Sequence, residues 1–187
     1  MNFTKTEIPD VILIEPSIMQ DGSGYHFESF RQDLFEQNLG KINFLMETES
    51  LYENGVLKGL HYQLPPYEQT KLIRVISGEI LDVAVDIREG SRYFGNYVRN
   101  ILDSRDKKQL FIPKGFAHGF IVISDEAIVS TRADNYYSRF YERGIIYNDN
   151  YLHINWGFDS RRVKVNQDGI KLSTFVKAEV FSSEYVE

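Results

Sequence analysis

Cysteine is absent from the sequence, so disulfide bonds, thiolate metal ligands and a cysteine nucleophile are excluded. No apolar run reaches the roughly 20 residues that a membrane-spanning helix needs. The first five residues, Met-Asn-Phe-Thr-Lys, lack the layout of a secretory signal. We therefore expect a cytoplasmic protein with no membrane partner.

A basic surface is also missing. The formal net charge is −6 at pH 7, whereas a protein that binds nucleic acid usually presents a stripe of Lys and Arg. We therefore expect no nucleic-acid partner. An anionic small molecule is still allowed, because a diphosphate needs only a few local cationic donors. The sequence likewise lacks a serine-hydrolase elbow, a phosphate-binding glycine loop and a dinucleotide fingerprint.

Aromatic residues, in contrast, are abundant. They make up 14% of the chain, with 13 Phe and 12 Tyr, and such side chains pack well on pleated sheets. The length of 187 residues is enough to bury a real core. Because no internal repeat or low-complexity linker is present, we expect a single domain over residues 1–187. A strand extension is expected at its N-terminus and a helical or irregular tail at its C-terminus.

The clearest strand signal lies between residues 71 and 87. Residues 71–76 and 80–87 read as two strands joined by a turn at 77–79, and residues 81–87 alternate between large apolar side chains and Asp or Ala. Other predicted elements are strands at 11–15, 95–102, 108–112, 118–123, 127–133 and 161–165, a turn at 21–24 and a short helix within 27–38. This pattern predicts an all-β fold, a jelly-roll β-barrel with short flanking helices.

Two histidine motifs fall within the strand-rich region. The first reads Gly-Val-Leu-Lys-Gly-Leu-His-Tyr-Gln over residues 55–63 and is followed by Glu68; the second reads Pro-Lys-Gly-Phe-Ala-His over residues 113–118. They resemble the two motifs of a cupin metal site, in which three His and one Glu hold the ion. Gln63 stands where such cupins have their second His, and an amide is a poor ligand for zinc or iron. The pattern therefore favours proton chemistry by an imidazole over a bound metal.

Each of these residues also has a plain structural interpretation. Taken alone, His61 is compatible with a structural role and His118 with a hydrogen-bonded core residue. In a cupin barrel, however, both would point into one cavity. Lys71 precedes an apolar strand, where a solvated lysine is ordinary, and Asp168 by itself looks like a turn aspartate.

The chain resembles the dTDP-4-dehydrorhamnose 3,5-epimerases, cupin-fold enzymes of deoxysugar biosynthesis, over nearly its whole length. The matching stretches are residues 8–11, 27–29, 55–63, 71–75, 78–79, 82–88, 94–95, 112–120 and 135–137. The resemblance implies a cupin-type barrel, a nucleotide-diphosphate-linked 4-keto-6-deoxy sugar as the substrate, and neither metal nor cofactor. It also implies a homodimer with exchanged N-terminal strands, and a place in surface polysaccharide synthesis.

The same resemblance assigns the catalytic residues. His61 is implied as the general base, Asp168 as the carboxylate that orients and charges it, Lys71 as a neighbour of the keto oxygen, and His118 as a member of the same pocket. Hydrogens beside a ketone are acidic because the carbanion delocalises into an enolate, so an imidazole can remove one. A cation at the keto oxygen stabilises the charge that develops in the transition state.

Several substrate-contacting positions depart from the family pattern. Thr131 replaces the family's acidic tyrosine, and an aliphatic hydroxyl is a far weaker acid than a phenol, whose pKa is about 10. Lys58 replaces an arginine and loses its bidentate fork for phosphate. Met46 and Thr48 replace a Gln and an Asn of the sugar pocket, which indicates an altered substrate. The remaining substrate contacts expected from the resemblance are Glu28, Gln63 and Tyr137.

The replacement at Thr131 leaves the second proton of an epimerisation unassigned. It could come from a positioned water or from Tyr62, Tyr136 or Tyr137, or inversion could be lost at one carbon. The leading hypothesis is an epimerase that inverts carbon 3, carbon 5 or both of a hexose or heptose. The alternatives are a 3,4-ketoisomerase, which resembles an H-x-H pattern that this chain lacks, a non-catalytic cupin that binds a nucleotide sugar, and a metal-dependent cupin.

Overall fold

The computed structural model describes residues 1–166 and 172–186. Over these residues the first strands and the single α-helix are β1 (Asn2–Lys5), β2 (Ile12–Glu15), β3 (Met19–Asp21), β4 (Gly24–His26), α1 (Gln32–Leu39), β5 (Met46–Glu53), β6 (Val56–Gln63) and β7 (Lys71–Ser77). They are followed by β8 (Glu79–Asp86), β9 (Tyr97–Asp103), β10 (Gln109–Ile112), β11 (Phe116–Val122), β12 (Glu126–Ala133), β13 (Glu142–Ile145), β14 (Lys164–Asn166) and β15 (Leu172–Ser173). Short 3-10 helices cover Ser160–Arg162, Phe175–Lys177 and Ser183–Tyr185.

Two sheets form the body of the molecule, as expected for a jelly roll. The six-stranded sheet has the order β1-β2-β10-β7-β12-β5. The seven-stranded sheet has the order β15-β13-β6-β11-β8-β9, with β14 pairing on β6. The predicted turn at 21–24 joins β3 and β4 into a separate two-stranded hairpin. None of the helices in the described residues is long and apolar enough to cross a membrane.

Strand β8 shows how the alternating sequence builds the core. Leu81, Val83 and Val85 face an apolar cluster on the outer side of the seven-stranded sheet, which the C-terminal part of the chain covers. The opposite face of β8 turns toward the second sheet, and there both Ile80 and Asp82 are fully buried. The polar face of this strand is therefore interior, and its charged residues must find partners inside the molecule.

A bulge in β6 changes which of its side chains share a face. His61 pairs with His118, whereas Lys58 pairs with Phe120, so β6 carries one extra residue between the two pairs. Gly59 lies at this irregularity with φ +115°, and a Cβ there would come within 2.5 Å of the Cα of Gly119. The close approach of the two strands therefore requires glycine at this point.

Two predicted elements differ from the structure at their N-terminal ends. The helix expected within 27–38 begins only at Gln32, because Arg31 is extended with φ −146°. The strand expected at 161–165 begins only at Lys164, and its first residues belong to a 3-10 helix. The reason is local, since the Asp159 side chain accepts a hydrogen bond from the backbone N–H of Arg161 and caps that turn.

Candidate active site

A cavity of about 270 Å³ lies between the two sheets. Its walls come from β5, β7 and β12 on one side and from β6, β11 and β13 on the other. The site residues predicted from the sequence that line it are His61, Lys71, His118, Lys58, Met46, Thr48, Thr131 and Tyr137. The structure thus brings most of the predicted site together in one place.

His61 projects into this cavity from β6, directly across the strand pairing from His118 on β11. Its Nδ1 atom lies 3.7 Å from Oε1 of Glu142, a cavity residue on β13 that the sequence did not single out. Both side chains are largely buried. Asp168, the predicted carboxylate partner of His61, lies outside the described residues, so that pairing stays a prediction.

His118 is paired with a carboxylate that the sequence pattern also left unassigned. Its Nε2 atom lies 2.8 Å from Oδ2 of Asp82, which has no exposed surface. The other carboxylate oxygen of Asp82 accepts no hydrogen bond from the described residues. A fully buried carboxylate with one imidazole partner holds that ring in a fixed orientation at the cavity wall.

Lys71 carries the cationic group nearest to these acids. Burial lowers the pKa of its ammonium, because desolvation disfavours the charged form, while Glu142 and then Asp82 act in the opposite direction. The two carboxylates thus help to keep Lys71 charged inside the cavity. A charged donor in a low-dielectric site is well suited to stabilise an enolate oxygen.

The wall opposite His61 is formed by the paired strands β5 and β12. Across this pairing Thr131 faces Thr48, Val129 faces Ser50 and Ala133 faces Met46, and all six residues line the cavity. Alternate residues of a strand share a face, so this wall carries hydroxyl and apolar groups but no phenol at residue 131.

Lys58 lies at one end of the cavity, close to a tyrosine on β5. Its Nζ atom is 5.9 Å from the ring centroid of Tyr52, whose ring also contacts Phe120 edge-on at 5.5 Å. All three residues line the cavity. Because of the bulge in β6, Lys58 and His61 face the same space although they are three residues apart.

Two of the predicted substrate contacts do not line the cavity. Gln63 is buried, and its amide donates hydrogen bonds to the carbonyls of Tyr67 at 2.7 Å and Tyr136 at 3.1 Å and accepts one from the backbone of Ser138. It fastens the segment that carries Tyr137. Glu28 lies outside the cavity on the exposed surface, 3.5 Å from Arg31. A substrate contact for Gln63 or Glu28 stays a prediction.

The remaining member of the cupin metal pattern is engaged elsewhere. Glu68 forms an ion pair with Lys114 at 3.5 Å, and Lys114 also lies 3.6 Å from Asp134. Among the residues that the structure describes, no group of three or more His, Cys, Asp or Glu is placed to hold a metal ion.

The double-sheet barrel and its interior imidazoles define a cupin-type enzyme that works by proton transfer. Comparison with protein families agrees: the model described as dTDP-4-dehydrorhamnose 3,5-epimerase matches residues 5–175. The chain belongs to this family and is an epimerase, an enzyme of the isomerase class. It is 50% identical over 157 residues to the dTDP-4-dehydrorhamnose 3,5-epimerase of Shigella flexneri, with 83% of this chain and 87% of the relative covered.

Solved structures support the same assignment. The dTDP-6-deoxy-D-glucose-3,5-epimerase of Legionella pneumophila, in complex with dTDP-4-keto-L-rhamnose, superposes with a TM-score of 0.89 at 39% identity. That comparison covers 95% of this chain and 94% of the other. The dTDP-4-dehydrorhamnose 3,5-epimerase of Elizabethkingia anophelis gives a TM-score of 0.90 at 34% identity, covering 94% and 97%. The predicted cupin jelly roll is thereby confirmed.

Proposed function

We propose that this protein epimerises a nucleotide-diphosphate-linked 4-keto-6-deoxy sugar at carbon 3, carbon 5 or both. The observation that carries the proposal is the convergence of His61 and Lys71 on one cavity of a chain that belongs to an epimerase family. A relative at 39% identity holds dTDP-4-keto-L-rhamnose, which has the required ketone beside both carbons. The ketoisomerase and non-catalytic alternatives lose support, because the matching model and relatives are epimerases.

In this mechanism the Nε2 or Nδ1 atom of His61 removes the hydrogen from a carbon next to the ketone. The electron pair moves onto the keto oxygen, where the Lys71 ammonium stabilises the enolate. Asp168 is proposed to stabilise the imidazolium that forms. The diphosphate is proposed to lie toward Lys58, the other cation that lines the described cavity.

The test is incubation with dTDP-4-keto-6-deoxy sugars in deuterated water, followed by NMR. Deuterium is expected at carbon 3, carbon 5 or both. His61→Asn should abolish the exchange, because the amide cannot accept the carbon-bound proton at neutral pH. His153→Asn is the matched control, since His153 is exposed and far along the chain from the cavity, and its φ of 48° is one that Asn tolerates. Exchange that survives in the His61 variant would contradict the assignment of the base.

We further propose that the protein works as a cytoplasmic homodimer with exchanged N-terminal strands. All residues of the β3–β4 hairpin are exposed, and an isolated two-stranded hairpin is at best marginally stable in water. A second copy of the chain would cover it and could bring Glu28 to the neighbouring cavity. Sedimentation velocity should give twice the mass of one chain, 21.8 kDa, and a single-chain mass at micromolar concentration would refute the dimer.

A further inference from the structure

Inversion of a carbon centre requires a proton donor on the face of the sugar opposite the base. His61 projects from β6 of the seven-stranded sheet, and β5 and β12 of the six-stranded sheet form the facing wall. A sugar ring held between the sheets would present one face to each. The donor is therefore to be sought on β5 and β12.

Two of the tyrosines near the site do not reach the cavity. The Tyr62 hydroxyl donates a hydrogen bond to the carbonyl of Glu179 at 2.8 Å, on the outer side of the sheet, and burial raises its pKa. Tyr136 is 59% exposed and is not among the cavity-lining residues. Neither phenol can deliver a proton to a sugar between the sheets.

The two tyrosines that do line the cavity are placed for other tasks. Tyr137 donates a hydrogen bond to Glu142 at 2.6 Å, and Glu142 lies 3.7 Å from His61, so this phenol belongs to the side of the base. Tyr52 is on the facing wall but lies four residues along β5 from Thr48, about 13 Å at the usual rise of a strand. Its ring contacts Lys58, which fits the diphosphate end of the substrate better than the ring carbons.

The facing wall instead presents hydroxyl groups. Thr131 and Thr48 are direct partners in the β12–β5 pairing, which puts their Cβ atoms about 5 Å apart, and Ser50 is the next cavity-facing residue on β5. None of these three hydroxyls makes a hydrogen bond to another residue within 1–166 and 172–186. By contrast, Ser130, on the other face of β12, donates to Glu47 at 2.6 Å.

We propose that Thr131 and Thr48 together hold a water molecule that donates the proton to the carbon on the face opposite His61, an inference that rests on the proposed function. Two neighbouring hydroxyls on a polar patch supply the minimum of partners that an ordered water needs. The two threonines position the water, and the water is the acid.

The proton balance of the step is as follows. His61 takes the proton from carbon, and the bonding pair becomes the enolate next to Lys71. The enolate carbon then forms a new C–H bond as one O–H bond of the water breaks, which leaves hydroxide between the threonines. Bulk solvent reprotonates the hydroxide, since Thr48 is exposed, and the imidazolium releases its proton to solvent. Net proton uptake is zero.

The experiment measures two quantities in deuterated water with a dTDP-4-keto-6-deoxy sugar: the rate of deuterium incorporation and the fraction of product that is inverted. Thr131→Val and Thr48→Val keep the shape and the strand propensity but remove the hydroxyls. Each is expected to lower inversion by about tenfold or more, while exchange with retention continues, because His61 can return a deuteron to the same face. Thr4→Val, exposed on β1, is the matched control and should invert as the wild type does.

A structural defect would lower exchange and inversion together, so the ratio of the two isolates the role of the threonines. In a second variant, Thr131→Tyr, a phenol replaces the held water, and inversion should then fall as pH rises through about 10. Wild-type inversion in the Thr131→Val, Thr48→Val double variant would overturn the proposal. Absence of any exchange in the wild type would instead refute the proposed function.

Discussion

Replacement of His118 by Leu should destabilise the protein strongly, because it leaves a buried carboxylate without its partner. Asp82 has no exposed surface, and His118 is the described residue that contacts its Oδ2 atom, at 2.8 Å. Removal of one member of a buried charged pair typically costs about 3–5 kcal/mol. The favourable charge of Lys71 remains in the variant and places the expected loss near the lower end, about 3 kcal/mol.

Urea unfolding, followed by circular dichroism at one protein concentration, measures this loss. With a slope of about 2 kcal/mol per molar urea, the midpoint should fall by roughly 1.5 M. Asp82→Asn alone keeps a neutral hydrogen bond to the imidazole and should cost about 1–2 kcal/mol. In the His118→Leu, Asp82→Asn double variant no charge is left unpaired, so the coupling energy of the cycle should be about 2 kcal/mol.

Two results would refute this reasoning. One is a loss below about 1 kcal/mol for His118→Leu, which would mean that the carboxylate is protonated or hydrated in the native state. The other is simple additivity, with the double variant as unstable as the sum of the two single variants.

The remaining predictions concern the lysine in the cavity. Lys71→Met should slow deuterium exchange by about 10²–10³-fold, because the enolate loses its cationic donor, and NMR with the substrate measures this directly. Since burial lowers the pKa of Lys71, exchange in the wild type should fall at a pH below that expected of an ordinary lysine, as the ammonium loses its proton. Glu142→Gln removes the larger of the two effects that raise this pKa, so the alkaline fall should move to still lower pH in a pH–rate profile; an unchanged profile would contradict the role of Lys71.

The sequence allowed the sheets and the main catalytic side chains to be predicted, because strand alternation and the two histidine motifs are local patterns. It did not identify Asp82 as a partner of His118. In an alternating strand an Asp is normally taken as solvent-facing, and only the second sheet turns that face into an interior. Glu142 was missed for a similar reason, since its place beside His61 depends on the pairing of β13 with β6.

The grouping of Lys58 with His61 also lay beyond simple strand periodicity. Residues three apart on a regular strand point to opposite faces, and the bulge at Gly59 brings both to the cavity. Gln63 shows the opposite case, in which a motif position that matches the family holds backbone groups of the loop before β13. Tertiary pairing, which a single sequence does not display, decided each of these positions.

The engagement of Gln63 and Glu68 also limits the evolutionary routes open to this chain. A histidine at residue 63 would complete the H-x-H pattern, but it would release the loop that the amide holds at three backbone atoms. The acid of the pattern would still be neutralised by Lys114. Drift toward metalloenzyme chemistry would therefore need several coordinated substitutions, with an unfavourable intermediate at each step.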